Sequence, residues 1–421
     1  MFMTERRSRM AVLFAVTTTC AALISGCGAL PGSAGGSPGP VVVMTWAPDG
    51  TKSTNMPGMP AMAQAFAAHI NDVGGLNGHE LKVITCNDHN DTVEAAKCAQ
   101  RAQDEGAVAV IGSYSEHAGN FTSALESASI PYIGGYGLTQ EEFQSPMSYP
   151  VNGGLPALLT GSGKQLADSC SKVSLVRPDT MVGDQFPLFL DAGLKAGGRP
   201  AATDLPTADD STEYTGVAQR AIGRAPTGSC VSAVLGDRTD TFVDSFRRLG
   251  DDVPKVRLAS VIGSVQQSLI NSTGGTSSPL ENAFATGWYP PTSDPKWDEM
   301  KAVVKKYAFG DNRIDVADPG VQTTWVAYSV FAEIVRAMGD EAVTSMTLKR
   351  ALDKTTSIST GGLTPDLGWS NDNMLPVPGH PRMVNAKVVY QVVRDGQLVA
   401  ARPGFVDMAA TLARPVNQDG R

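Results

Sequence analysis

A chain of 421 residues, 42% hydrophobic and 18% charged, has ordinary globular composition, with length for two or three domains and a large core. Its formal charge of −8 argues against nucleic acid as a partner, and no polybasic stretch suggests a membrane surface patch.

Residues 1–27 place Arg6, Arg7 and Arg9 before an apolar run from Ala11 to Ile24, followed by Ser25, Gly26 and Cys27. This is the order of a signal peptide, with a run too short for a comfortable membrane span. The ending from Leu23 to Cys27 resembles the lipobox of bacterial lipoproteins, which would put a lipidated Cys27 at the mature N-terminus. The competing reading is a plain secretory signal with a chance cysteine. Residues 28–40 are almost wholly Gly, Pro, Ser and Ala and read as a tether with an average reach of roughly 20 Å. Gly35, Ser37 and Gly39 match a hydrolase elbow but lack the strand and helix that motif requires.

Val41 to Met44 is the first expected strand, and the loop Thr45 to Gly58 leaves it toward the carboxyl edge of a sheet. The helix from Met59 has Met62, Phe66, Ile70 and Val73 as its core stripe and stops at Gly74 and Gly75. His79 to Thr85 reads as a strand. Asp91, with Glu94 three positions on, marks the N-cap of a helix whose small apolar face is Val93, Ala96, Ala99 and Ala102. After Gly106, the apolar run Ala107 to Gly112 is what a parallel strand covered on both faces requires. Residues 70–114 thus hold the core of a βαβ unit. Ser113, Tyr114 and Ser115 form the next loop, with Ser115 placed to cap a helix carrying Phe121 and Leu125 inward. Pro131 to Gly135 is the fourth strand, followed by a loop from Tyr136 to Thr139.

Around Tyr149 to Gly154 the pattern restarts with a helix from Leu155 to Ser169. Strands at 172–176, 200–205, 231–235 and 255–262 then alternate with helices at 184–196, 211–224 and 239–249, which predicts a second parallel sheet with right-handed crossovers. Loops at its carboxyl edge are Arg177 to Gly183, Gly236 to Thr239 and Ser260 to Ser264. Asn282 to Trp288 reads as a strand. Helices follow at 294–308, 319–338 and 346–354, the second with Val321, Trp325, Tyr328 and Phe331 on one core stripe. A Gly-rich return precedes a hairpin of Ala386 to Val393 and Gln397 to Ala400 around Asp395 and Gly396. The tail from Pro403 reads as loosely ordered.

Apart from Cys20 and Cys27, the cysteines are Cys86, Cys98, Cys170 and Cys230. An even count in an exported chain suggests two disulfides, and of three connectivities position favours Cys86 with Cys98 and Cys170 with Cys230. Cys86 ends a strand and Cys98 lies two turns into the helix that packs back on it. Cys170 and Cys230 precede what would be neighbouring parallel strands. Metal binding by Cys86, His89 and Cys98 fits no tetrahedral zinc spacing. The five histidines, His69, His79, His89, His117 and His380, are scattered, and GSGK at 161–164 lacks the pattern of a phosphate loop, so no catalytic constellation is legible.

The order INDVGGLNGHEL, an Asp-rich turn, a helix, VAVIGSYSEHAG and SIPYIGGYG resembles the type I periplasmic binding proteins of the leucine/isoleucine/valine-binding family, over residues 41 to about 400. The resemblance implies an α/β fold of two doubly wound parallel-sheet lobes joined by a three-strand hinge. Lobe one would comprise 41–150 and 286–365, and lobe two 151–285 and 366–421. It implies no enzyme activity and no cofactor. It implies instead a lipoprotein, facing outward on the cell membrane, that closes on a small amino-acid-like or other polar metabolite and delivers it to an ABC permease. A sensor regulating a membrane partner without transport is the alternative. In relatives that bind amino acids, groups after the third and fourth strands hold the carboxylate, and the matching positions are Ser113, Tyr114, Ser115, Gly137 and Thr139. An acid of lobe two holds the ammonium there. The loop from Ser260 to Ser264 has none, which leaves Asp237, beside Arg238, as the nearest carboxylate. Tyr114, Tyr136 and Trp288 are candidate aromatic walls, or packing residues.

Overall fold

The computed structural model describes residues 39–52, 54–223, 228–250 and 256–414. The signal segment with Cys27, the tether as far as residue 38 and the chain after Arg414 lie outside the described residues, as do residue 224 of one expected helix and residue 255 of one expected strand.

Strands β1 (Val41–Trp46), β2 (Leu81–Cys86), β3 (Ala109–Ile111), β4 (Tyr132–Ile133) and β5 (Ser148–Tyr149) form a wholly parallel sheet in the order β2-β1-β3-β4-β5. Helices α1 (Gly58–Asp72), α2 (Thr92–Asp104) and α3 (Ala118–Ser127) connect its first four strands. Alternate strand residues face opposite layers, as the two-residue period demands. Val41, Val43 and Ile111 join the core that includes α1, while Met44, Trp46 and Val110 pack with Phe121 and Leu125 of α3. Burying each such aliphatic chain contributes roughly 1.5–3 kcal/mol.

The chain next forms α4 (Gly154–Ser169) and a second sheet. Strands β6 (Val173–Pro178), β7 (Thr203–Thr207), β8 (Ser229–Ala233), β9 (Val256–Val261) and β10 (Phe284–Gly287) are linked through helices α5 (Phe186–Ala196), α6 (Thr215–Ile222), α7 (Thr239–Arg247) and α8 (Gln267–Ser272). From β10 the chain returns to the first lobe as α9 (Asp298–Tyr307), α10 (Pro319–Met338) and α11 (Ser345–Lys354). There Thr324 Oγ1 donates to Gly112 O (3.0 Å), and the hydroxyls of Tyr328 and Thr45 meet at 2.7 Å. The chain crosses again to add β11 (Lys387–Arg394) and β12 (Gln397–Ala400) antiparallel, giving the order β12-β11-β10-β9-β8-β6-β7. Asp395 and Gly396 turn that hairpin with φ of +52° and +69°, the paired positive angles of a tight primed turn. The architecture is the expected pair of α/β lobes with parallel sheets.

Several local expectations are corrected. Val93 is 58% exposed, because α2 turns Ala95, Cys98, Ala99 and Ala102 inward; the Cys98 bond to Cys86 fixes that rotation. Val73 is 61% exposed, since α1 ends at Asp72. Helix α3 starts at Ala118 with His117 at its N-cap and no side-chain cap, so Ser115 is not its capping residue. The tail is ordered through Arg414: β13 (Val406–Asp407) pairs with β11, and α12 (Ala409–Leu412) follows, with Met408 and Leu412 buried. Two-residue β5 and six-residue α8 are too short to leave a periodic signal, whereas β4 falls within the strand expected at Pro131 to Gly135.

At the hinge, three indoles tie the crossing segments together. Trp288 Nε1 donates to Gly154 O, Trp297 Nε1 to Pro290 O and Trp369 Nε1 to Pro150 O, each at 3.0 Å. Asn152 donates to the Tyr289 hydroxyl (3.2 Å), and Asn385 to Val151 O (3.2 Å).

Both expected disulfides are present, Cys86–Cys98 and Cys170–Cys230, with Cα separations of 5.8 and 5.7 Å. Val173 of β6 pairs in register with Cys230, the second residue of β8, which brings Cys170 within reach of it. By loop-closure entropy, removing the 60-residue loop through Cys170→Ala with Cys230→Ala costs about 4 kcal/mol, and removing the 12-residue loop through Cys86→Ala with Cys98→Ala costs about 3 kcal/mol. Urea midpoints compared at constant m test the difference.

Candidate functional site

The carboxyl edges of the two sheets face one another, the place where open α/β sheets receive ligands. In lobe one, the loops after β1, β3 and β4 support each other through their backbones: Tyr114 N–H donates to Trp46 O (3.1 Å) and Tyr136 N–H to Ser113 O (3.0 Å). Glu116 Oε1 accepts from the Tyr114 hydroxyl (3.1 Å) and from Thr54 Oγ1 (3.3 Å). A second carboxylate, Glu142, is buried under the Tyr136 loop and accepts the N–H groups of Gly137 (3.1 Å), Leu138 (2.8 Å) and Thr139 (3.1 Å). Burial pushes its pKa up to about 7, against the pull of those three amides.

Between the lobes lies a cavity of about 100 Å³. Lobe one contributes Thr54, Met56, Tyr114, Glu116, Tyr136 and Leu138. Leu155 and Leu158 project from α4, Val182 and Phe186 approach from the start of α5, and Val234, Leu235 and Val261 come from the ends of β8 and β9. The wall is therefore largely aliphatic and aromatic. Its polar groups are few: Glu116, Thr54, Thr180, Asp209, Ser264 and Arg238, whose Nε is buried without a partner among the described residues.

Of the sequence-derived candidates, Tyr114, Tyr136 and Arg238 line this cavity. The others surround it. Ser113 Oγ accepts Trp46 N–H (3.1 Å), and Ser115 Oγ accepts His117 N–H (3.2 Å). Ser115 also hydrogen-bonds Asp88, whose pKa rises because burial outweighs that bond. Gly137 and Thr139 lie over Glu142, and the Thr139 hydroxyl is buried without a partner among the described residues. Trp288 stacks edge-on against Tyr136 with centroids 5.0 Å apart, and Tyr136 meets Tyr114 in the same way at 5.0 Å.

At the rim the lobes touch. Asp237 Oδ2 accepts Asn55 N–H (3.3 Å), Arg238 donates to Lys52 O, and Gln266 Nε2 donates to Asp318 Oδ2 (3.3 Å). Asp318 also caps α10 through Val321 N–H (2.9 Å). Burial raises its pKa to about 6, and Asp237 across the cleft adds to the rise. Of the residues that sequence reading missed, Val182 and Val261 sit on loops expected at the cleft, whereas Leu155, Leu158, Phe186 and Asp318 belong to helices or a helix end that carried no such expectation. Nothing in their own identity distinguishes a wall leucine from a core leucine.

A family model described as periplasmic binding protein matches residues 42–395. No curated protein matches the chain. Among solved structures, a solute-binding protein of an ABC transporter from Rhodopseudomonas palustris BisB5, in complex with 3,4-dihydroxybenzoic acid, superposes with a TM-score of 0.70 at 16% identity, covering 87% of this chain and 97% of that one. A fatty acid ABC transporter substrate-binding protein from Thermomonospora curvata gives 0.69 at 15%, covering 86% and 92%. A leucine-binding protein from Thermotoga maritima gives 0.65 at 14%, covering 87% and 99%. At these identities the likeness is one of fold.

Two predictions follow from the rim. Gly263 has φ of +93°, and a Cβ there would meet the Tyr136 hydroxyl at 2.7 Å. Gly263→Ala therefore strains the loop by roughly 1–2 kcal/mol and props the lobes apart, visible as a larger radius of gyration in solution scattering. Asp318 has its raised pKa only with the lobes together, so closure gains from protonation. That gain is complete below the ordinary carboxylate value near 4 and is lost as pH rises through about 6. Scattering from pH 7.5 to 5 should show progressive compaction, and Asp318→Asn should reduce that pH dependence, with the remainder carried by Asp237.

Proposed function

The chain belongs to the periplasmic binding protein family, and on that premise we propose that it is an extracytoplasmic solute-binding lipoprotein. In this reading Cys27 anchors it to the outer face of the cell membrane, the residues after Cys27 act as tether, and the two lobes close on a solute and present it to an ABC permease. One observation carries the proposal: a cavity walled jointly by the carboxyl edges of both lobes, with few polar groups and a rim of contacts that exist only when the lobes meet. A ligand touching both walls favours closure by its differential affinity.

The wall also bears on the solute. Leu155, Leu158, Val182, Phe186 and Val234 suit an apolar body, and the Arg238 guanidinium in the wall suits an anionic end. We therefore place the solute among small amphipathic organic acids, with branched amino acids as one member of that class. The ligands named for three neighbours, a dihydroxybenzoic acid, a fatty acid and leucine, each join a carboxylate to an apolar body.

Mass spectrometry of the molecule retained through gentle purification, followed by thermal-shift titration, tests this directly. A monocarboxylate with an apolar body is expected; a sugar or a polyamine would refute the assignment. Arg238→Ala should weaken the retained acid by roughly 10–100-fold, the worth of one charge-assisted hydrogen bond, with little change in melting temperature.

A further inference from the structure

Glu142 belongs to the short helical turn Glu141–Phe143 that follows the Tyr136 loop, and it is only 3% exposed. Both of its oxygens are occupied. Oε1 accepts the N–H groups of Leu138 and Thr139, and Oε2 accepts that of Gly137 and, at 3.4 Å, the Tyr132 hydroxyl. Three consecutive backbone amides thus do for this buried carboxylate what a cation ordinarily does. The loop they belong to is a wall of the cleft, since Tyr136 and Leu138 line the cavity. Gly137 carries the connection further, because its carbonyl accepts the N–H of Leu155 (2.8 Å), a wall residue at the start of α4. Gly137 has φ of +85°, and a Cβ there would meet Gly154 Cα at 2.6 Å, so the loop follows one tight path. Other ionisable groups stand further off. Asp88 acts through space on the Tyr132 phenol, and His117 on Asp88; Glu141 is exposed; His380 packs on Phe143, and Arg382 on Tyr149.

We propose that Glu142 is the positioning residue of the cleft wall, holding the Tyr136–Thr139 loop in its capture geometry while ionised and loosening it when protonated, so that solute affinity falls as the medium acidifies. This rests on the interlobe cavity being the solute site. The chemistry is one of acceptors. An ionised carboxylate takes all four hydrogen bonds, whereas a carboxylic acid must donate one. Tyr132 Oη can receive it, because its own O–H also reaches Ser113 O (3.3 Å). The proton then sits on Oε2, the oxygen that Gly137 N–H faces, and a hydroxyl oxygen is a weaker acceptor than a carboxylate. The bond weakened is the one that anchors Gly137, and through it Leu155. Burial places this change near neutrality, with a pKa of about 7. Stability has the opposite sign. Proton uptake by Glu142 stabilises the fold fully below its ordinary value of 4.5, and that contribution is lost as pH rises through about 7. Acidification therefore firms the fold while weakening capture, a split that a purely structural carboxylate would not produce.

Tyr136 and Gly137 form the only Tyr–Gly pair in the sequence, so carbonyl-labelled tyrosine with nitrogen-labelled glycine selects a single amide resonance in the full chain. In dialysed protein that resonance should titrate between pH about 5.5 and about 8.5 with its midpoint near 7, and should stay in place in Glu142→Gln. Benzoate, ionised throughout that range, is the capture probe, read by calorimetry. Comparing wild type with Glu142→Gln at each pH removes the rim titration of Asp318 and Asp237, which both proteins share. The wild type should bind benzoate roughly tenfold tighter than the variant at pH about 8.5, and the gap should close to about twofold at pH about 5.5, where only a few per cent of Glu142 is ionised. A Gly137 resonance that does not titrate, one that titrates equally in the variant, or an affinity ratio independent of pH overturns the proposal. Benzoate that binds at no pH counts against the solute class proposed above. The Gly137 titration, which needs neither benzoate nor a folded variant, then decides this inference by itself.

Discussion

Chain segments that cross between two lobes run through the protein interior without a full ladder of neighbours, so their carbonyls need donors from elsewhere. Here the donors are indoles. Trp288, Trp297 and Trp369 each spend a single N–H on a crossing-segment carbonyl while their rings fill the space around it. An indole suits this position because it joins a large apolar body to one donor and no competing acceptor. The arrangement satisfies carbonyls at the crossings and packs the space around them. The cleft and its rim depend on that combination.

The same aromatic packing runs from the pivot into the cleft. Tyr289 meets both Trp297 and Trp288, Trp288 meets Tyr136, and Tyr136 meets Tyr114, with successive centroids 5.0–6.2 Å apart and every pair edge to face. Tyr136 stands between the pivot and Gly263 of the opposite lobe, so it is both part of the hinge packing and the surface that the opposite loop closes upon. Interiors packed this densely switch between discrete arrangements rather than deforming smoothly. A ligand resting on Tyr114 and Tyr136 is therefore mechanically close to the pivot.

Most of the fold was legible because long elements leave long periodic traces. The helix expected at 319–338 is α10 with those bounds, and the cysteine pairs were readable, Cys86–Cys98 from a helix packing back on its strand and Cys170–Cys230 from strand adjacency. Errors arose where tertiary constraint overrides local pattern. The apolar face of α2 is rotated by one residue because a disulfide sets it, and Ser115 satisfies His117 and Asp88 instead of opening a helix. Of the candidate site residues read from the sequence, Tyr114, Tyr136 and Arg238 line the interlobe cavity. Sequence reading missed Asp318, since an Asp before Pro319 reads as an N-cap, which it also is, and its second role needs the opposite lobe in place.

That second role bears on how the two lobes are balanced. Bringing them together sets Asp318 and Asp237 facing one another and strips water from both, and burial raises both pKa values. The rim bonds that accompany closure are few and partly exposed, and such bonds contribute about 1 kcal/mol each. Burying roughly 150 Å² of an apolar guest contributes about 4 kcal/mol, which acts against the electrostatic opposition of the two facing carboxylates. Opposed terms leave an equilibrium that a modest differential affinity can tip. The aliphatic wall supplies that affinity, and the acidic rim keeps closure from being favoured without it.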